Sequence, residues 1–372
     1  MTNALIIGGG IAGAITAMAL RKAGITPAVY EAYPSGADDI GAFLTIMNNG
    51  IDALRAVDVH QPVIDNSFAA NTVEFLDGSG NTLAVQDIGS EVNGPRTLTR
   101  ATLYRVLHDE AARRGIAVVH GKRLIAAESI PGGAVARFDD GTTAHGDLLI
   151  GADGIHSVTR SIIDPTAPGP RYAGLNIAYG YTRDDSLPTA TDRYRMIFGK
   201  RAFFGYTTSP DGQTWWFARL PAPETGPVPH DEIRQRLIDA LAEDETPAAN
   251  IVAATADRIF LSNAYDVPTT PVWHAGSMVL VGDAAHAASP AAGQGASMAI
   301  EDGVVLAQCL RDVPNNAFSA YEELRRDRVE RLVATSAEDG ARAAAGSADV
   351  DDRQDSRAWL YGHHIDWAAS VV

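Results

Sequence analysis

The stretch GGGIAG at residues 8–13 follows the short apolar run Ala4–Ile7, and this junction constrains the fold more than any other feature. An apolar run of this length that ends at glycine is typical of a buried strand. Residues 11–23 then carry apolar side chains near helical spacing and end at Gly24. A second short strand is predicted over Ala28–Tyr30. We therefore expect a strand–helix–strand unit whose glycines join the first strand to the helix.

The glycines of this junction match a dinucleotide-binding fingerprint. Gly8 is predicted to make the tight turn, Gly10 to leave room for a pyrophosphate at the helix N-terminus, and Gly13 to let helix and strand pack closely. Glu31 lies eighteen residues after Gly13, where a carboxylate accepts hydrogen bonds from a ribose. The fingerprint alone does not distinguish FAD from NAD.

Two later segments repeat the pattern of an apolar strand that ends in glycine and aspartate. Leu148–Ile150 leads to Asp153, and Met278–Val281 leads to Asp283. A further glycine turn at 293–295 precedes a predicted helix. An aspartate at a strand's carboxyl end points into the crevice where doubly wound sheets bind ligands, although each aspartate alone could simply cap a helix. Three such strand ends in one chain favour a shared site.

Together these segments resemble the class A flavoprotein monooxygenases, the para-hydroxybenzoate hydroxylase family. The family's GxGxxG, "DG" and "GD" motifs are matched in order by Gly8–Gly13, by Asp153-Gly154 and by Gly282–His286. Its Arg-x-x-Leu-x-x-x-Leu helix is matched from Arg100, and its closing Tyr-x-x-x-Arg-x-x-Arg by residues 321–328. The matches extend from residue 5 to about residue 330.

The resemblance implies a non-covalently bound FAD. It assigns the pyrophosphate to the first glycines, the adenosine ribose to Glu31, the ribityl chain to Asp283, and the flavin or pyrophosphate to Arg100. The implied cofactor-binding residues are Gly8, Gly10, Ile11, Ala12, Gly13, Glu31, Arg100, Leu124, Asp153, Gly154, Gly282, Asp283, Pro290, Gly293, Gln294, Gly295 and Ala296.

The resemblance also implies an α/β fold, a Rossmann-like GR2-type FAD-binding domain interleaved with a mixed or antiparallel β-sheet substrate domain and followed by C-terminal helices. We assign residues 1–69, 100–175 and 273–330 to the FAD-binding domain. Residues 70–99 and 176–272 form the substrate-binding domain, and 331–372 form a C-terminal helix and tail. Turn residues at 77–80 and 209–212 predict hairpins within the substrate domain.

Aromatic residues concentrate in the predicted strands of the substrate domain. An aromatic-lined cavity for a flat apolar substrate is therefore expected. The candidate cavity residues are Leu44, Met47, Phe204, Tyr206, Trp215, Phe217 and Pro290. Alternation places these aromatic side chains on defined faces of the sheet, but the sequence does not show which face is inward.

Composition excludes several other classes of protein. The chain of 372 residues carries a net charge of −16 and no dense basic stretch, which argues against nucleic-acid binding. Cys309 is the single cysteine, so no intrachain disulfide forms. The sequence has no signal-peptide pattern, no apolar run of the ~18 residues that a membrane span needs, and no metal-ligand spacing. We expect a cytoplasmic protein without membrane contact, either a monomer or a homodimer.

The predicted activity is that of an FAD-dependent monooxygenase that consumes NADPH or NADH and O₂. By the resemblance, a hydroperoxide at flavin C4a hydroxylates an aromatic or polycyclic small molecule, with no catalytic side chain identified. A halogenase of related fold is less well supported, because its Trp-x-Trp-x-Ile-Pro segment is missing from residues 215–221. An oxidase or dehydrogenase of related fold would also fit the motifs. A non-enzymatic carrier or escort protein on a degenerate flavin fold would tend to lose flavin contacts, whereas all three motifs are intact in this chain.

Overall fold

The structure is a computed structural model that describes residues 2–35, 42–89, 94–289, 293–344 and 358–371. Its strands, in chain order, are β1 Asn3–Ile7, β2 Thr26–Tyr30, β3 Phe43–Ile46, β4 Phe68–Ala69, β5 Thr72–Asp77, β6 Thr82–Asp87, β7 Arg96–Thr99, β8 Ala117–Val119, β9 Leu124–Ile130, β10 Gly133–Phe138, β11 Thr143–Gly146, β12 Leu148–Gly151, β13 Arg171–Thr182, β14 Arg193–Phe198, β15 Phe203–Thr208, β16 Thr214–Pro221, β17 Phe260–Asp266, β18 His274–Ala275 and β19 Met278–Leu280. Its helices are α1 Ile11–Lys22, α2 Asn48–Ala56, α3 His60–Asp65, α4 Arg100–Arg113, α5 Val158–Ile163, α6 His230–Leu241, α7 Ala248–Ala253, α8 Asp283–His286, α9 Gly295–Asp312, α10 Ala317–Ala344 and α11 Ala358–Tyr361.

A six-stranded sheet in the order β18-β19-β12-β1-β2-β8 joins all three segments with glycine and aspartate at the strand end. β1 lies between β12 and β2 and pairs in parallel with both. The sequence of β1 is almost wholly apolar because parallel strands are covered on both faces. The three strand ends therefore emerge at the same edge of one sheet, as predicted.

Helices α1 and α9 pack closely near this sheet edge. A side chain at Gly303 of α9 would approach Thr16 of α1 to 2.8 Å, so the glycine allows the two helices to touch. α1 ends at Lys22, and the chain turns at Gly24, whose φ of +83° is readily adopted only by glycine. Ile25 N–H then donates to Leu20 O. The buried residues of both helices belong to the large core of the FAD-binding half.

A seven-stranded sheet in the order β17-β13-β16-β15-β14-β5-β6 forms the other half. Its strands are antiparallel except for the parallel pair β14 and β5. β5 and β6 form the hairpin predicted around residues 77–80, and β15 and β16 form the one predicted around 209–212. The interleaved α/β fold is confirmed.

Two of the predicted domain boundaries fall inside continuous elements. β13 begins at Arg171, ahead of the boundary at 176. Helix α10 runs without a break through the boundary between residues 330 and 331. Val329 and Leu332 lie on either side of this boundary and are buried in the same core, which explains why the helix continues. No helix among the described residues is long and apolar enough to cross a membrane.

Candidate active site

The β1–α1 junction is built so closely that two of its glycines admit no side chain. Gly8 has a φ of +102°, and a Cβ there would lie 2.4 Å from the carbonyl oxygen of Ala152 after β12. A Cβ at Gly13 would lie 1.9 Å from the carbonyl oxygen of Gly8. Gly8 therefore makes the turn, and Gly13 allows the contact between helix and strand.

Gly10 differs from its neighbours because a Cβ there would meet nothing within 4 Å. It is the N-cap of α1, and no side chain forms a capping hydrogen bond at this end of the helix. Ile11 and Ala12 in the first turn are only half-buried. Unpaired backbone N–H groups at an open helix N-terminus suit a phosphate, so this end of α1 fits the pyrophosphate of a dinucleotide.

Glu31 follows β2 and supports the glycine turn. Its Oε2 accepts a hydrogen bond from Gly9 N–H at 2.7 Å, and its Oε1 accepts one from Tyr33 N–H at 2.9 Å. His108 also contacts this turn, with its Nε2 2.6 Å from Gly9 O. The sequence did not identify His108. A ribose contact of Glu31 would use the remaining lone pairs of a carboxylate that already orders the loop.

Leu124 starts β9 and is buried in the large core. Its partner across the strands is Phe138, which stacks on Tyr30 with ring centroids 4.9 Å apart. Tyr30 is the last residue of β2 and directly precedes Glu31. Leu124 is thus close to the predicted ribose position, and a cofactor contact there stays a prediction.

The carboxylate of Asp153 orders helix α5. Its Oδ1 accepts from Ser157 Oγ at 2.5 Å, and its Oδ2 accepts from the backbone N–H and the hydroxyl of Thr159, both at 2.9 Å. This arrangement corresponds to a helix-capping role, because both oxygens are engaged within the chain. Asp153 thus shapes this loop, the adjacent Gly154, with a φ of +76°, provides the turn, and a cofactor contact of Asp153 stays a prediction.

Arg160 connects the second strand end to the third. Its guanidinium donates to Ile155 O at 2.6 Å and to Ala284 O at 3.0 Å. Burial lowers the pKa of Arg160, and the nearby charge of Asp153 opposes that effect. The "DG" and "GD" segments are therefore fixed to each other by hydrogen bonds to backbone carbonyls.

The end of β19 touches the start of α1. Gly282 has a φ of +59°, and a Cβ there would lie 2.9 Å from the Cβ of Ala12. Asp283 is exposed, and within the part of the chain that the structure describes no hydrogen bond or ion pair occupies its carboxylate. Its Oδ1 would lie 3.8 Å from a Cβ at Gly295. A free acceptor thus lies between the starts of α1 and α9, as a ribityl contact requires.

The turn before α9 is open to a ligand. Gly293 has a φ of +63°, and a Cβ there would meet no atom of the described residues within 4 Å. Gly295 and Ala296 begin α9, and no side chain caps this helix. The predicted contact Pro290 lies outside the described residues.

A buried ionic cluster lies beneath this turn. Glu301 Oε2 accepts from Arg325 at 2.5 Å and from Arg328 at 2.8 Å, and Asp302 Oδ1 accepts from Arg325 at 2.8 Å. Asp302 Oδ2 also bonds His286 Nε2 and accepts from Gly282 N–H at 2.9 Å. The cluster therefore connects α9 and α10 directly to the third strand end.

The charges in this cluster compensate each other. Burial alone would raise the pKa of Glu301, but the positive charges of Arg325 and Arg328 outweigh it and lower that pKa to about 2. Burial opposes ionisation of Asp302 in the same way, and His286 and Arg325 lower its pKa. Both carboxylates are ionised at neutral pH.

Asn49 connects this network to the turn before α9, although no sequence motif identified it. Asn49 Nδ2 donates to Glu301 Oε1 at 2.6 Å and to Gln294 Oε1 at 3.3 Å. Gln294 is 2% exposed and precedes α9 directly. Asn49 lies on α2, far from Glu301 in the sequence, so no local pattern identifies this contact.

Two arginines at the β7–α4 junction have no partner among the described residues. Arg100 is exposed in the first turn of α4, while Thr99 caps that helix through its hydroxyl, 3.0 Å from Thr102 N. Arg96 is half-buried at the start of β7. Neither guanidinium forms a hydrogen bond or ion pair with the described chain. Arg100 is therefore free to bind an anionic group, as the resemblance implies.

The two faces of the seven-stranded sheet have different neighbours. Phe204 and Tyr206 lie on the face covered by α6 and α7 and have no exposed surface. Their prediction as cavity residues is wrong, because alternation in β15 directs both into this helix-covered core. The side chains of Trp215 and Phe217 point to the opposite face.

The face of the sheet that points away from α6 and α7 carries a cluster of aromatic side chains, which we call the aromatic wall. Phe43 of β3 lies opposite it, with ring centroids 5.6 Å from Trp215, 6.0 Å from Phe217 and 6.3 Å from Tyr181. Phe43 belongs to the stretch 41–50, which the sequence offers as a second wall of the cavity, although only Leu44 and Met47 were singled out there. Tyr194 hydrogen bonds the hydroxyl groups of Thr45 and Thr97, both at 2.8 Å, which ties β14 to β3 and β7. Burial raises the pKa of Tyr194 to about 12.

The predicted cavity residues Leu44 and Met47 are not part of the aromatic wall. Leu44 alternates with Phe43 and packs against the large core. Met47 is 8% exposed, and its N–H donates to Ser297 Oγ of α9 at 3.2 Å. Met47 is thus next to the cradle formed by residues 293–296, whereas Leu44 faces the FAD-binding half.

Comparison with known proteins agrees with this geometry. A family model described as an FAD binding domain matches residues 1–336. The chain belongs to this family. Its relatives identify it further as a class A flavoprotein monooxygenase. It is 33% identical over 340 residues to the aurachin C monooxygenase/isomerase of Stigmatella aurantiaca, covering 89% of this chain and 87% of that protein.

Further relatives extend over nearly the whole chain. The 3-amino-4-hydroxybenzoate 2-monooxygenase PtnB3 of Streptomyces platensis is 32% identical over 390 residues, covering 96% of this chain and 95% of that protein. The crystal structure of Klebsiella pneumoniae HpxO with FAD and uric acid superposes with a TM-score of 0.84 at 28% identity, covering 98% of this chain and 93% of that one. The similarity thus includes both halves of the fold.

Proposed function

We propose that this flavoprotein monooxygenase uses NADPH or NADH and O₂ to hydroxylate a planar aromatic small molecule. The observation that carries the proposal is the meeting of three strand ends at one edge of the parallel sheet, in a chain whose second sheet carries an aromatic wall. In the balanced reaction, one oxygen atom enters a C–H bond of the substrate. The other leaves as water with the two electrons and one proton of the nicotinamide and one further proton.

The FAD site would be formed by the three strand ends. The N-terminus of α1 with Gly10 would hold the pyrophosphate, Glu31 the adenosine ribose, Asp283 the ribityl chain, and the start of α9 the flavin ring. Arg100 would bind the negative charge of the cofactor. When bound, FAD supplies the redox chemistry that activates O₂. The residues of the chain would bind and orient the cofactor and the substrate, and they would exclude water.

The aromatic wall would position the substrate and keep it dry. Phe43, Trp215, Phe217 and Tyr181 present ring faces and edges against which a flat molecule stacks. Burial raises the pKa of Tyr181, with Tyr179 adding to the effect, so its phenol stays neutral and can donate a hydrogen bond. Exclusion of water favours oxygen transfer over loss of the activated oxygen as hydrogen peroxide.

The test is NAD(P)H oxidation by the purified holoenzyme with a panel of aromatic compounds under ¹⁸O₂. We expect at least one compound to stimulate nicotinamide oxidation and to gain one ¹⁸O atom. Stimulated oxidation that yields only hydrogen peroxide, or an oxidised product without label, would instead show an oxidase or dehydrogenase. Chlorinated product without label would show a halogenase, and a protein that cannot take up FAD would be a carrier.

Four further properties remain predictions. Action in the cytoplasm and the absence of a nucleic-acid partner rest on composition. A monomeric or homodimeric state rests on the resemblance. The choice between NADPH and NADH is decided by comparing the two in the same oxidation assay.

A further inference from the structure

Gly9, at the centre of the glycine turn, is held by one side chain at its N–H and by another at its carbonyl oxygen. Its N–H donates to Glu31 Oε2 at 2.7 Å, directly after β2. Its carbonyl oxygen lies 2.6 Å from Nε2 of His108, which belongs to α4. A carbonyl oxygen only accepts, so this hydrogen bond requires a proton on Nε2. Two elements outside the β1–α1 junction therefore fix a residue that is by itself highly flexible.

The carbonyl group that His108 holds belongs to the same peptide as the N–H of Gly10. A trans peptide is planar, and its C=O and N–H point in opposite directions. The hydrogen bond from His108 to Gly9 O therefore directs Gly10 N–H away from α4. Within the part of the chain that the structure describes, this N–H has no hydrogen-bond partner. The peptide thus presents an unpaired donor at the open N-terminus of α1.

The imidazole of His108 is itself held in place by a neighbouring ring. Tyr104, one turn earlier on α4, stacks on it with ring centroids 3.9 Å apart and an angle of 22° between the rings. Tyr104 is buried and His108 is half-buried. A stacked side chain on a helix of 14 residues has few other orientations open to it. The donor to Gly9 O is therefore preorganised, and no ligand is needed to position it.

From this geometry we infer that His108 is a positioning residue of the FAD site, which orients the Gly9–Gly10 peptide so that Gly10 N–H donates to a pyrophosphate oxygen. The inference rests on the proposed function and adds to it a residue that acts through the backbone. Without this hydrogen bond the run of three glycines would sample several conformations, and FAD binding would have to supply the free energy that orders them. His108 therefore determines the affinity for the cofactor.

The experiment compares four variants of the full-length enzyme after removal of FAD. His108→Phe and His108→Leu both remove the donor, and the phenylalanine retains a ring against Tyr104. His108→Gln places an amide N–H where Nε2 of the imidazole lies. The control His145→Phe makes the same exchange at an exposed position of β11. Quenching of flavin fluorescence gives the dissociation constant for FAD, competition with FAD gives that for ADP, and thermal unfolding without ligand reports stability.

We expect His108→Phe and His108→Leu to raise the dissociation constant for FAD about 5- to 30-fold, as for the ordering of one residue. ADP should lose a similar factor, because it carries the same pyrophosphate. His108→Gln should bind FAD within about threefold of wild type, and His145→Phe should bind it like wild type. The melting temperature of FAD-free His108→Phe should stay within about 2 °C of wild type, since only one hydrogen bond is lost.

Three results would overturn the role of His108. The first is binding of FAD by His108→Phe and His108→Leu as tight as by wild type, whether or not their melting temperatures fall. The second is binding by His108→Gln as weak as by those two variants. The third is a loss of affinity for FAD without one for ADP, which would place the effect away from the pyrophosphate. Failure of the proposed function has a different result, since wild type itself would then bind no FAD or hydroxylate no aromatic compound.

Discussion

At the scale of single residues, substitutions of Gly10 and Gly13 should have different effects, the first on the binding of FAD and the second on the stability of the fold. Gly10→Ala adds a methyl group in open space, at a φ of −68° that alanine adopts easily. We expect its melting temperature without FAD to stay within about 2 °C of wild type. The dissociation constant for FAD should rise at least about tenfold, because the methyl group enters the crevice proposed for the pyrophosphate.

Gly13→Ala is the matched counterpart. Its methyl group would overlap the carbonyl oxygen of Gly8, so we expect a loss of unfolding free energy of about 2 kcal/mol or more. Differential scanning fluorimetry and FAD fluorescence quenching measure the two effects. The division of roles between the two glycines would be contradicted if Gly10→Ala bound FAD like wild type while Gly13→Ala melted like wild type.

The buried carboxylate of Glu301 predicts a specific dependence of stability on pH. Its pKa in the folded protein, about 2, lies below the ordinary value of 4.5. The stabilisation from its ionised form is therefore complete above about pH 4.5 and is lost as the pH falls toward 2. At neutral pH, Glu301→Gln should lower the free energy of unfolding by about 3–5 kcal/mol, because the buried Arg325 and the half-buried Arg328 lose a charged partner.

Urea unfolding of wild type and Glu301→Gln at several pH values measures this effect. The difference in unfolding free energy between the two proteins should narrow below about pH 4.5. Below that pH the wild-type chain takes up a proton at Glu301 when it unfolds, which favours unfolding. A gap that stays constant from neutral pH down to about pH 3 would show that the ionisation of Glu301 does not stabilise the fold.

At the scale of elements, β16 places two neighbouring tryptophans on opposite faces of the seven-stranded sheet. Trp216 is fully buried, and its Nε1 donates to the hydroxyl groups of Thr182 and Thr255 at 3.1 and 3.0 Å. Trp216→Phe should therefore reduce the free energy of unfolding by about 2 kcal/mol and leave substrate binding unchanged.

Trp215→Phe is the matched control for this assignment. Trp215 lies on the aromatic wall, and among the described residues its Nε1 donates to Gln213 Oε1 alone, at 3.0 Å. We expect a stability loss below about 1 kcal/mol and a changed KM for the aromatic substrate. Equal effects of the two variants on KM would contradict the assignment of faces.

The sequence was sufficient for elements whose pattern is local. The β1–α1–β2 unit, the apolar strands before Asp153 and Asp283, and the hairpins of the large sheet all combine an apolar run with a glycine-rich turn. The inward face of β15 could not be predicted, because period-two alternation is the same whichever face α6 and α7 cover. Contacts between distant elements, such as Asn49 with Glu301, have no local signature at all.

At the scale of the whole molecule, the C-terminal segment 358–371 packs back onto the FAD-binding half. Arg328 donates to the carbonyl oxygens of Trp359 and Leu360 at 2.5 and 2.7 Å, while its other N–H groups bind Glu301. Leu360 and Ile365 are buried in the large core. The same arginine therefore joins the end of the chain to the cluster beneath the cradle.

Truncation after residue 357 tests this connection. We expect the melting temperature to fall by at least about 5 °C, because two apolar side chains leave the core and Arg328 loses two acceptors. Removal of residues 370–372 alone keeps Leu360 and Ile365 in place and should have a smaller effect. An unchanged melting temperature in the longer truncation would show that the segment does not stabilise the fold.

The most direct test of the site as a whole is equilibrium titration of FAD-free protein with FAD and, separately, with FMN. The proposed site depends on the adenosine diphosphate half of the cofactor, whose pyrophosphate and ribose would contact Gly10 and Glu31. We predict one FAD bound per chain and binding of FMN at least about 100-fold weaker. Equal affinity for the two flavins, or no binding of FAD, would contradict the proposed site.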